Sequence, residues 1–293
     1  MDLILVRYAE VGLKSRGVRK RFERILMDNM LSILAHDGVE ALVRNDQGRI
    51  FVQSADIDKA VRSVQKVFGV ASVSPVVKCG SNMEEMRARV AELSRNWLEE
   101  GSTFKIEARR SGSHSYNSMQ AAASIGEAVL WANEDRGIKV NIHHPDKVIY
   151  VEIRENMAYV FSDYVPGPGG LPMGSQGKVL AMVRNDRDAL AAWLIMKRGC
   201  RCVAVGEDGP STDLLRSWDP DMKLVSPGDM VSLSYRHRAA AVVFGSSIAD
   251  EDELLQTEIP VPVFYPIVGW SEDEVAKGIR EIKAGRPAHI GLV

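Results

Sequence analysis

The first 78 residues alternate between two hydrophobic periods. Short runs rich in β-branched residues, with polar positions between them, predict strands at residues 2–8, 39–44, 49–54 and 70–78. Apolar residues at three- and four-residue intervals predict helices at 16–38 and 56–69. The order βαββαβ is typical of a ferredoxin-like α+β unit of about 75 residues.

The first of these helices has an apolar face and a basic face. Arg16, Lys20 and Arg24 fall on the basic face. The second helix follows Asp56, which we expect to be its N-cap. The apolar positions of the first helix are Val18, Phe22, Ile25, Leu26, Met30, Ile33 and Leu34.

The second part of the chain, residues 79–166, has the pattern of another α+β domain. Helical periods cover 82–101 and 119–136, and strand periods cover 103–110, 138–144, 147–153 and 157–164. The stretch 165–177 is rich in glycine and proline, which favour turns, so we place a domain boundary there.

The last part, residues 167–293, predicts a reduced α/β domain. Strands are expected at 178–183, 201–208 and 238–247, and helices at 186–199, 210–218, 251–257 and 271–285. Alternating strands and helices favour a mostly parallel sheet. Residues 206–238 look too short and irregular for a full domain of this class. The predicted fold is therefore an α+β N-terminal half, divided into 1–78 and 79–166, followed by a shortened α/β domain.

Composition narrows the class of protein. The 293 residues are 45% hydrophobic and 26% charged, which suffices for globular cores. No apolar run approaches the roughly 20 residues that span a bilayer, so no membrane association is expected. The N-terminus lacks the basic region of a secretory signal, and three cysteines suggest a reducing compartment, so we expect a cytoplasmic protein. The net charge is −2, yet residues 1–24 carry seven basic and three acidic residues. This local excess is the kind that binds nucleic acid.

The loop between the predicted strand at 178–183 and the next helix is the most informative segment. A strand that runs into a helix N-terminus commonly binds phosphate, and glycines let the backbone approach the ligand. This loop contains no glycine and two carboxylates, and we expect Asp186 or Asp188 to cap the helix. Its residues are Val183, Arg184, Asn185, Asp186, Arg187 and Asp188.

Arginine forks offer a second interpretation of the same loop. Arg184 and Arg187 could hold a phosphate by side-chain contacts. Because carboxylates alternate with them, a solvated turn of mixed charge is the simpler account. ATP binding is therefore doubtful, and no cofactor is expected.

Other clusters of reactive residues favour structural roles. Cys200 and Cys202 are two apart on a predicted strand without further ligands, so we interpret them as core thiols. Cys79 could be a surface thiol. His143 and His144 lie at a predicted turn with no third ligand, so no metal site is expected.

Five motifs resemble the tRNA 4-thiouridine synthetase family, also called thiamine-biosynthesis sulfurtransferases. Glu10-Val11-Gly12-Leu13-Lys14 with Arg19 and Phe22 looks like its E-[IV]-x-L-K…R-x-x-F-E signature. Residues 104–110 with Ser118 look like F-K-[VI]-x-x-[RK]-R…TS, and 167–174 look like the G-x-G-G-[LF]-P-x-G connector. Residues 197–199 look like the end of the first helix in the family's C-terminal domain. Residues 262–269 look like its strand-turn motif, P-V-x-x-P-L-[IV]-G. The resemblance covers almost the whole chain.

The resemblance implies three domains and a lost activity. It assigns 1–78 to a ferredoxin-like domain, 79–166 to a THUMP RNA-binding domain and 167–293 to an ATP-pyrophosphatase-like domain. The family's S-G-G-x-D-S loop falls on residues 183–188, and none of its serines, glycines or aspartate is kept there. The family's catalytic cysteine has no counterpart in 206–238. These departures imply a pseudoenzyme with a degenerate loop.

RNA binding is the activity that the resemblance leaves in place. It implies that the THUMP domain holds the acceptor end of tRNA, including its single-stranded tail. His114 and Tyr116 are candidates for stacking on an unpaired base. Candidates for contact with RNA are Lys14, Arg16, Arg19, Lys20, Lys105, Arg109, Arg110 and His114.

Three functional hypotheses remain open from the sequence. The preferred one is a tRNA-binding protein that presents tRNA to a separate modifying enzyme, or acts as a chaperone or adaptor. The alternative is an ATP-dependent tRNA thiolation enzyme with an atypical nucleotide site near Arg184–Asp188. In a third, the C-terminal domain serves only to form a homodimer.

Overall fold

The computed structural model describes residues 2–8, 10–46, 48–250 and 259–285. Their contacts form two compact units. One contains the described residues of Met1–Ile4 and Ser74–Tyr164, and the other those of Leu5–Val73 and Val165–Val293. The N-terminal domain and the C-terminal domain therefore share a unit. No helix in the described part of the chain is long and apolar enough to cross a membrane.

The N-terminal domain has the predicted βαββαβ order. Its strand order is β2-β3-β1-β4, and β2 and β3 pair antiparallel. Asp56 caps the second helix by accepting a hydrogen bond from the backbone N–H of Lys59 at 3.0 Å. Its elements are β1 (Leu3–Tyr8), α1 (Arg16–His36), β2 (Ala41–Asp46), β3 (Arg49–Ser54), α2 (Ile57–Val64) and β4 (Val70–Gly80).

The apolar face predicted for α1 is mostly correct. Phe22, Leu26 and Met30 are buried, as are Ile33 and Leu34 one turn further on. Val18, which we placed on that face, is 40% exposed. It lies in the first turn, among the basic residues.

The second domain is a sheet with α3 and α4 on one face. The strand order is β4-β8-β7-β5-β6, with β5 and β7 parallel and β7 and β8 antiparallel. Met86, Phe104, Ile125 and Val151 belong to the core under the helices. The elements are α3 (Met83–Trp97), β5 (Thr103–Ser111), α4 (Ser118–Ala132), β6 (Lys139–Val140), β7 (Lys147–Arg154) and β8 (Met157–Phe161), with a 3-10 turn at Glu134–Arg136.

The C-terminal domain is built on a parallel sheet, as predicted. A short strand, β9 (Val165–Pro166), pairs with β4 before the domain begins. The strand order is β12-β11-β10-β13-β14, and each of its four pairs of neighbouring strands is parallel. Its elements are β10 (Lys178–Val183), α5 (Asp186–Lys197), β11 (Arg201–Gly206), α6 (Pro210–Arg216), β12 (Lys223–Val225), α7 (Met230–His237), β13 (Val242–Val243), β14 (Val263–Phe264) and α8 (Glu272–Lys283).

The segment 206–238 is more regular than its sequence suggests. It contains α6, β12 and α7, and Leu233 of α7 packs in a core with Leu180 and Val203. The other face of the sheet packs on α5 and α8. The expectation of an irregular segment was therefore wrong, because a three-residue strand in a parallel sheet is stabilised by distant partners. The helix predicted at 251–257 lies outside the described residues.

Phe68 joins the N-terminal domain to the C-terminal domain. Its side chain is 1% exposed, and its ring lies 5.3 Å from that of Trp193 and 5.6 Å from that of Trp218. Asn29 Nδ2 donates to the carbonyl oxygen of Met173 at 3.0 Å in the same junction. The two domains share one apolar core.

We expect Phe68→Ala to lower the free energy of unfolding by about 3–5 kcal/mol, because it leaves a cavity between two tryptophans. Urea denaturation followed by tryptophan fluorescence measures this change. Phe264→Ala is the matched control: Phe264 is 46% exposed, and we expect a change within about 0.5 kcal/mol. An equal loss in both variants would contradict the role of Phe68.

Candidate functional site: the strand–helix loop and the basic surfaces

The loop after β10 is capped by an asparagine. Asn185 Oδ1 accepts hydrogen bonds from the backbone N–H groups of Arg187 and Asp188, each at 3.0 Å. The sequence prediction that Asp186 or Asp188 caps α5 was wrong. Both carboxylates accept hydrogen bonds from other partners, and the bonds at the cap are made by the neutral amide. Two N–H groups of the first turn of α5, those of Arg187 and Asp188, therefore already have an acceptor.

Asp188 fills the space in front of the sheet. Its side chain is 1% exposed, and Oδ1 accepts from the backbone N–H of Gly245 at 2.9 Å. Oδ2 accepts from the backbone N–H of Arg184 at 3.0 Å and from its Nε at 2.8 Å. The carboxylate thus links the end of β10 to the segment after β13.

This position is the point where the strand order reverses. The strands β11 and β12 lie on one side of β10, and β13 and β14 lie on the other. In open α/β sheets, ligands bind at the carboxyl ends of the strands at such a point. Here a side chain of the protein occupies that place, and its negative charge opposes an anionic ligand.

The other charged residues of the loop form ion pairs too. Arg187 Nη1 lies 2.8 Å from Glu272 Oε1. Asp186 Oδ1 accepts from Ser211 Oγ at 2.9 Å, and Oδ2 accepts from Lys283 Nζ. The bond to Lys283 holds the pKa of Asp186 below its usual value. The arrangement is a network of mixed charge, in which Nε and Nη2 of Arg187 are buried without a hydrogen-bond partner among the described residues.

An open cleft of about 580 Å³ lies beside the loop, at the ends of β10 and β11. Its rim carries two carboxylates, Glu207 and Asp208, near Arg184. Asp208 also pairs with Arg216. Acidic side chains on the rim make the cleft unfavourable for phosphate groups.

None of the three cysteines has the environment of a reactive thiolate. Burial raises the pKa of Cys79 to about 11 and also raises the pKa values of Cys200 and Cys202. Cys202 packs in the core, as predicted, and its thiol donates to the carbonyl oxygen of Ala192. Cys79 is half-buried in β4 rather than on the surface.

Cys200 is also far from the loop along the sheet. It precedes β11, whose last residue, Gly206, pairs with Val183. At a rise of about 3.3 Å per residue, Cys200 lies about 20 Å from that end of the strand. Cys200 therefore lies at the amino ends of the strands, whereas the loop lies at their carboxyl ends.

The basic residues of the N-terminal domain surround the start of α1. Lys14, Arg16, Arg19 and Lys20 are exposed, and the first turn contains no acidic residue. Ser15 occupies the N-cap position without a side-chain hydrogen bond. The N-terminus of a helix carries a partial positive charge, and the basic side chains add to it. The combined positive charge of this surface attracts anions.

The basic residues of the second domain lie along β5. Glu107 contacts two of them: its carboxylate lies 2.9 Å from Arg109 Nη2 and 3.7 Å from Lys105 Nζ. Arg110 Nη1 donates to the carbonyl oxygen of Gly112 at 2.7 Å. Both arginines are exposed. The structure thus gives one group of cations on α1 and another on β5.

His114 and Tyr116 are held by the backbone rather than extended into solvent. His114 Nε2 lies 2.7 Å from the carbonyl oxygen of Glu155. The Tyr116 hydroxyl donates to the carbonyl oxygen of Ser81, and its ring packs against the core of the second domain. Tyr116 is therefore oriented inward.

The histidine pair at 143–144 lies in an exposed turn, as predicted. Asn141 Oδ1 accepts from the backbone N–H groups of His143 at 3.1 Å and His144 at 3.0 Å. Across the described ranges, no group of three His, Cys, Asp or Glu residues could hold a metal ion.

Sequence reasoning missed Gly245. A Cβ there would lie 2.7 Å from Oδ1, Cα and N of Asp188, so only glycine lets the backbone reach the carboxylate. Its place after an apolar run, residues 239–244, was the available signal.

Two family descriptions match the first half of the chain. Residues 3–74 match the ThiI ferredoxin-like domain, and residues 80–163 match the THUMP domain. A probable tRNA sulfurtransferase from Methanobrevibacter smithii is 30% identical, over 96% of this chain and 86% of that protein. Another, from Methanosarcina mazei, is 39% identical over 70% of this chain. The match to the M. mazei protein covers 51% of that protein's length, so the chain spans about half of this relative.

Two solved structures share the fold. PH1313 from Pyrococcus horikoshii has a TM-score of 0.81 and 27% identity, covering 94% of this chain and 97% of that one. A 4-thiouridine synthetase–RNA complex with bound ATP has a TM-score of 0.78 and 20% identity, covering 100% of this chain and 87% of that one. They support the architecture of an α+β half followed by an α/β domain.

We expect Asp188→Asn to lower the free energy of unfolding by about 2–3 kcal/mol, because it weakens charge-assisted bonds at a buried site. Urea denaturation measures the loss. Asp213→Asn is the control, since Asp213 pairs with Arg216 at the surface and its side chain is 66% exposed; we expect a change below about 1 kcal/mol there. If both variants are equally stable, the carboxylate does not hold the loop.

Proposed function

Because this chain belongs to the tRNA sulfurtransferase family, we propose that it binds tRNA through its first two domains and neither adenylates it nor transfers sulfur. The observation that carries the second part is the buried Asp188 carboxylate. It occupies the strand–helix crevice where a nucleotide phosphate would bind. A triphosphate there would face a fixed negative charge and N–H groups that already have acceptors.

Sulfur transfer lacks support for a separate reason. A persulfide relay needs an accessible thiol of low pKa. The three cysteines are buried or half-buried with raised pKa values, and Cys200 precedes the amino end of β11, away from the loop after β10. The alternative of an ATP-dependent thiolation enzyme would have to use another sulfur donor and another phosphate site.

Binding of tRNA is supported by the domain match and by charge. THUMP is the domain that the family resemblance connects with the acceptor end of tRNA, and the 4-thiouridine synthetase of similar fold was solved with RNA. Lysine and arginine side chains supply most of the sequence-independent affinity for a phosphate backbone. The chain provides such residues at the start of α1 and along β5. Its role in this proposal is to present tRNA to a separate modifying enzyme.

We expect calorimetry with ATP and Mg²⁺ to show no binding, with or without tRNA, because Asp188 occupies the phosphate position. Arg184→Ala should leave this result unchanged. Tight ATP binding by the unmodified protein that Arg184→Ala abolishes would overturn the proposal in favour of the thiolation enzyme.

We expect filter binding to show tRNA affinity that falls with salt. Arg109→Ala or Arg110→Ala should weaken it for all tRNAs and reduce the slope of log K against log salt by about 1, since each removes one phosphate contact. Arg89→Ala is the control, because Arg89 pairs with Glu92 on α3 and does not belong to β5. No tRNA affinity at low salt would refute RNA binding.

A further inference from the structure

A basic groove lies between the second helix of the N-terminal domain, α2, and the last helix of the C-terminal domain, α8. Both walls belong to the same compact unit. The groove is open to solvent and has a volume of about 540 Å³. Ligand sites in proteins commonly measure roughly 300–1,000 Å³, so a peptide segment or a small ligand would fit.

Three cations line the groove on the side of α2. Lys59, Arg62 and Lys66 are three and four positions apart, a spacing that places side chains on one face of a helix. Arg62 is exposed, and the two lysines are half-buried. Their side chains form no ion pair with an acidic residue in the described part of the chain. This wall of the groove therefore offers unpaired positive charge to a ligand.

The wall that carries these cations is held in place at both ends. Asp56 caps the start of α2. Phe68, two residues after Lys66, inserts between two tryptophans of the C-terminal domain. The Lys66 side chain also passes close to the end of α8, because a Cβ on Gly285 would lie 3.5 Å from its Cε. A ligand would therefore meet a backbone that is already ordered, which lowers the entropic cost of binding.

The same groove also presents hydrogen-bond acceptors. Both helices end at it, since Gln65, the C-cap of α2, and Ala284, the C-cap of α8, line the groove. The carboxyl end of a helix carries a partial negative charge, because its last carbonyl groups have no partner within the helix. The carboxylate of Asp37 lies in the groove as well and accepts a hydrogen bond from the Ser63 hydroxyl. The groove thus combines unpaired cations with acceptor groups.

This combination fits an acidic peptide better than a phosphate backbone. A peptide brings N–H donors for the helix ends, and its glutamate or aspartate side chains bring carboxylates for the cations. A phosphodiester chain brings negative charge, but its only donor is the ribose hydroxyl. The two helix ends and Asp37 would repel its phosphate groups. The chemistry of the groove therefore favours a protein ligand over RNA.

We propose that the groove between α2 and the end of α8 binds an acidic segment of a partner protein, whose carboxylates pair with Lys59, Arg62 and Lys66. The inference goes beyond the proposed function, because it assigns a site to a protein, and it does not require the chain to bind RNA. Under the proposed function, the modifying enzyme that receives the tRNA would dock here. Pairing with exposed cations makes this contact sensitive to salt.

Fluorescence anisotropy with two labelled peptides tests this inference on the whole chain. One short peptide carries glutamate at alternate positions, and the other carries glutamine at the same positions. The unmodified protein should bind the glutamate peptide at low salt, bind it less tightly as salt rises, and show no affinity for the glutamine peptide. Arg62→Gln combined with Lys66→Gln should lower the affinity about 10-fold, because each exposed cation contributes up to a roughly fivefold change.

Two control variants separate the groove from net charge and from folding. Lys277→Gln removes the same charge from α8 and should leave the affinity unchanged, because Lys277 does not line the groove and lies 4.0 Å from Glu281. Arg62→Lys keeps the positive charge and should retain binding. A melting temperature for each variant identifies any loss caused by unfolding.

Filter binding with tRNA on the same double variant distinguishes this inference from the proposed function. The double variant should keep the tRNA affinity of the unmodified protein. If it binds the glutamate peptide as tightly as the unmodified protein does, or if the two peptides bind equally well, the groove is not a site for acidic segments. If it loses tRNA affinity, RNA occupies the groove and the inference is wrong. Failure of the proposed function has another signature, which is no tRNA affinity at low salt while peptide binding persists.

Discussion

The buried carboxylate of Asp188 is the interaction on which the loop after β10 depends. It accepts hydrogen bonds from Gly245 after β13 and from Arg184 after β10, while its own residue belongs to the first turn of α5. This one carboxylate therefore connects α5 with the segments that follow β10 and β13. Removing the Arg184 side chain would leave the buried charge with backbone N–H donors from Gly245 and Arg184 and without its ion-pair partner, which is costly. A ligand that took the place of the carboxylate would have to break these bonds.

The N-termini of α5 and α1 both carry a partial positive charge, but the side chains around them have opposite charge. At α5, Asn185 and two aspartates neutralise the positive end of the helix from within the protein. At α1, no acidic residue lies in the first turn, and Arg16, Arg19 and Lys20 add positive charge. A helix dipole next to cations is unfavourable until an anion arrives. Of these two helix N-termini, the one with exposed positive charge thus lies in the N-terminal half.

Local patterns predicted most of the fold, whereas the site depended on distant contacts. The strands and helices of the N-terminal domain, and the cap at Asp56, follow from residues within a few positions of each other. The strands β12 and β14 have three and two residues, too few for any period, and form by pairing with strands far along the chain. The bond between Asp188 and Gly245 spans 57 residues, so the sequence identified the loop but assigned its cap to the wrong side chain. Likewise, Tyr116 follows a polar loop, and only its hydrogen bond to Ser81 and its packing show that its ring is turned inward.

The junction around Phe68 gives the C-terminal domain a structural role that does not depend on chemistry at its loop. Phe68 inserts between Trp193 and Trp218, and Asn29 of α1 both donates to Met173 and accepts from Arg201 at 3.3 Å. These contacts lie within one compact unit formed by the N-terminal and C-terminal domains. Loss of the α/β domain would expose the Phe68 side chain and leave the Asn29 amide without these partners, so the N-terminal domain depends on it for its own core. Under the proposed function, a stable RNA-binding surface would require the sheet, α5 and the two tryptophans, and would place no such demand on residues 183–188. The contacts of Phe68 and Asn29 are therefore a structural reason for the α/β domain that does not depend on a ligand at its loop.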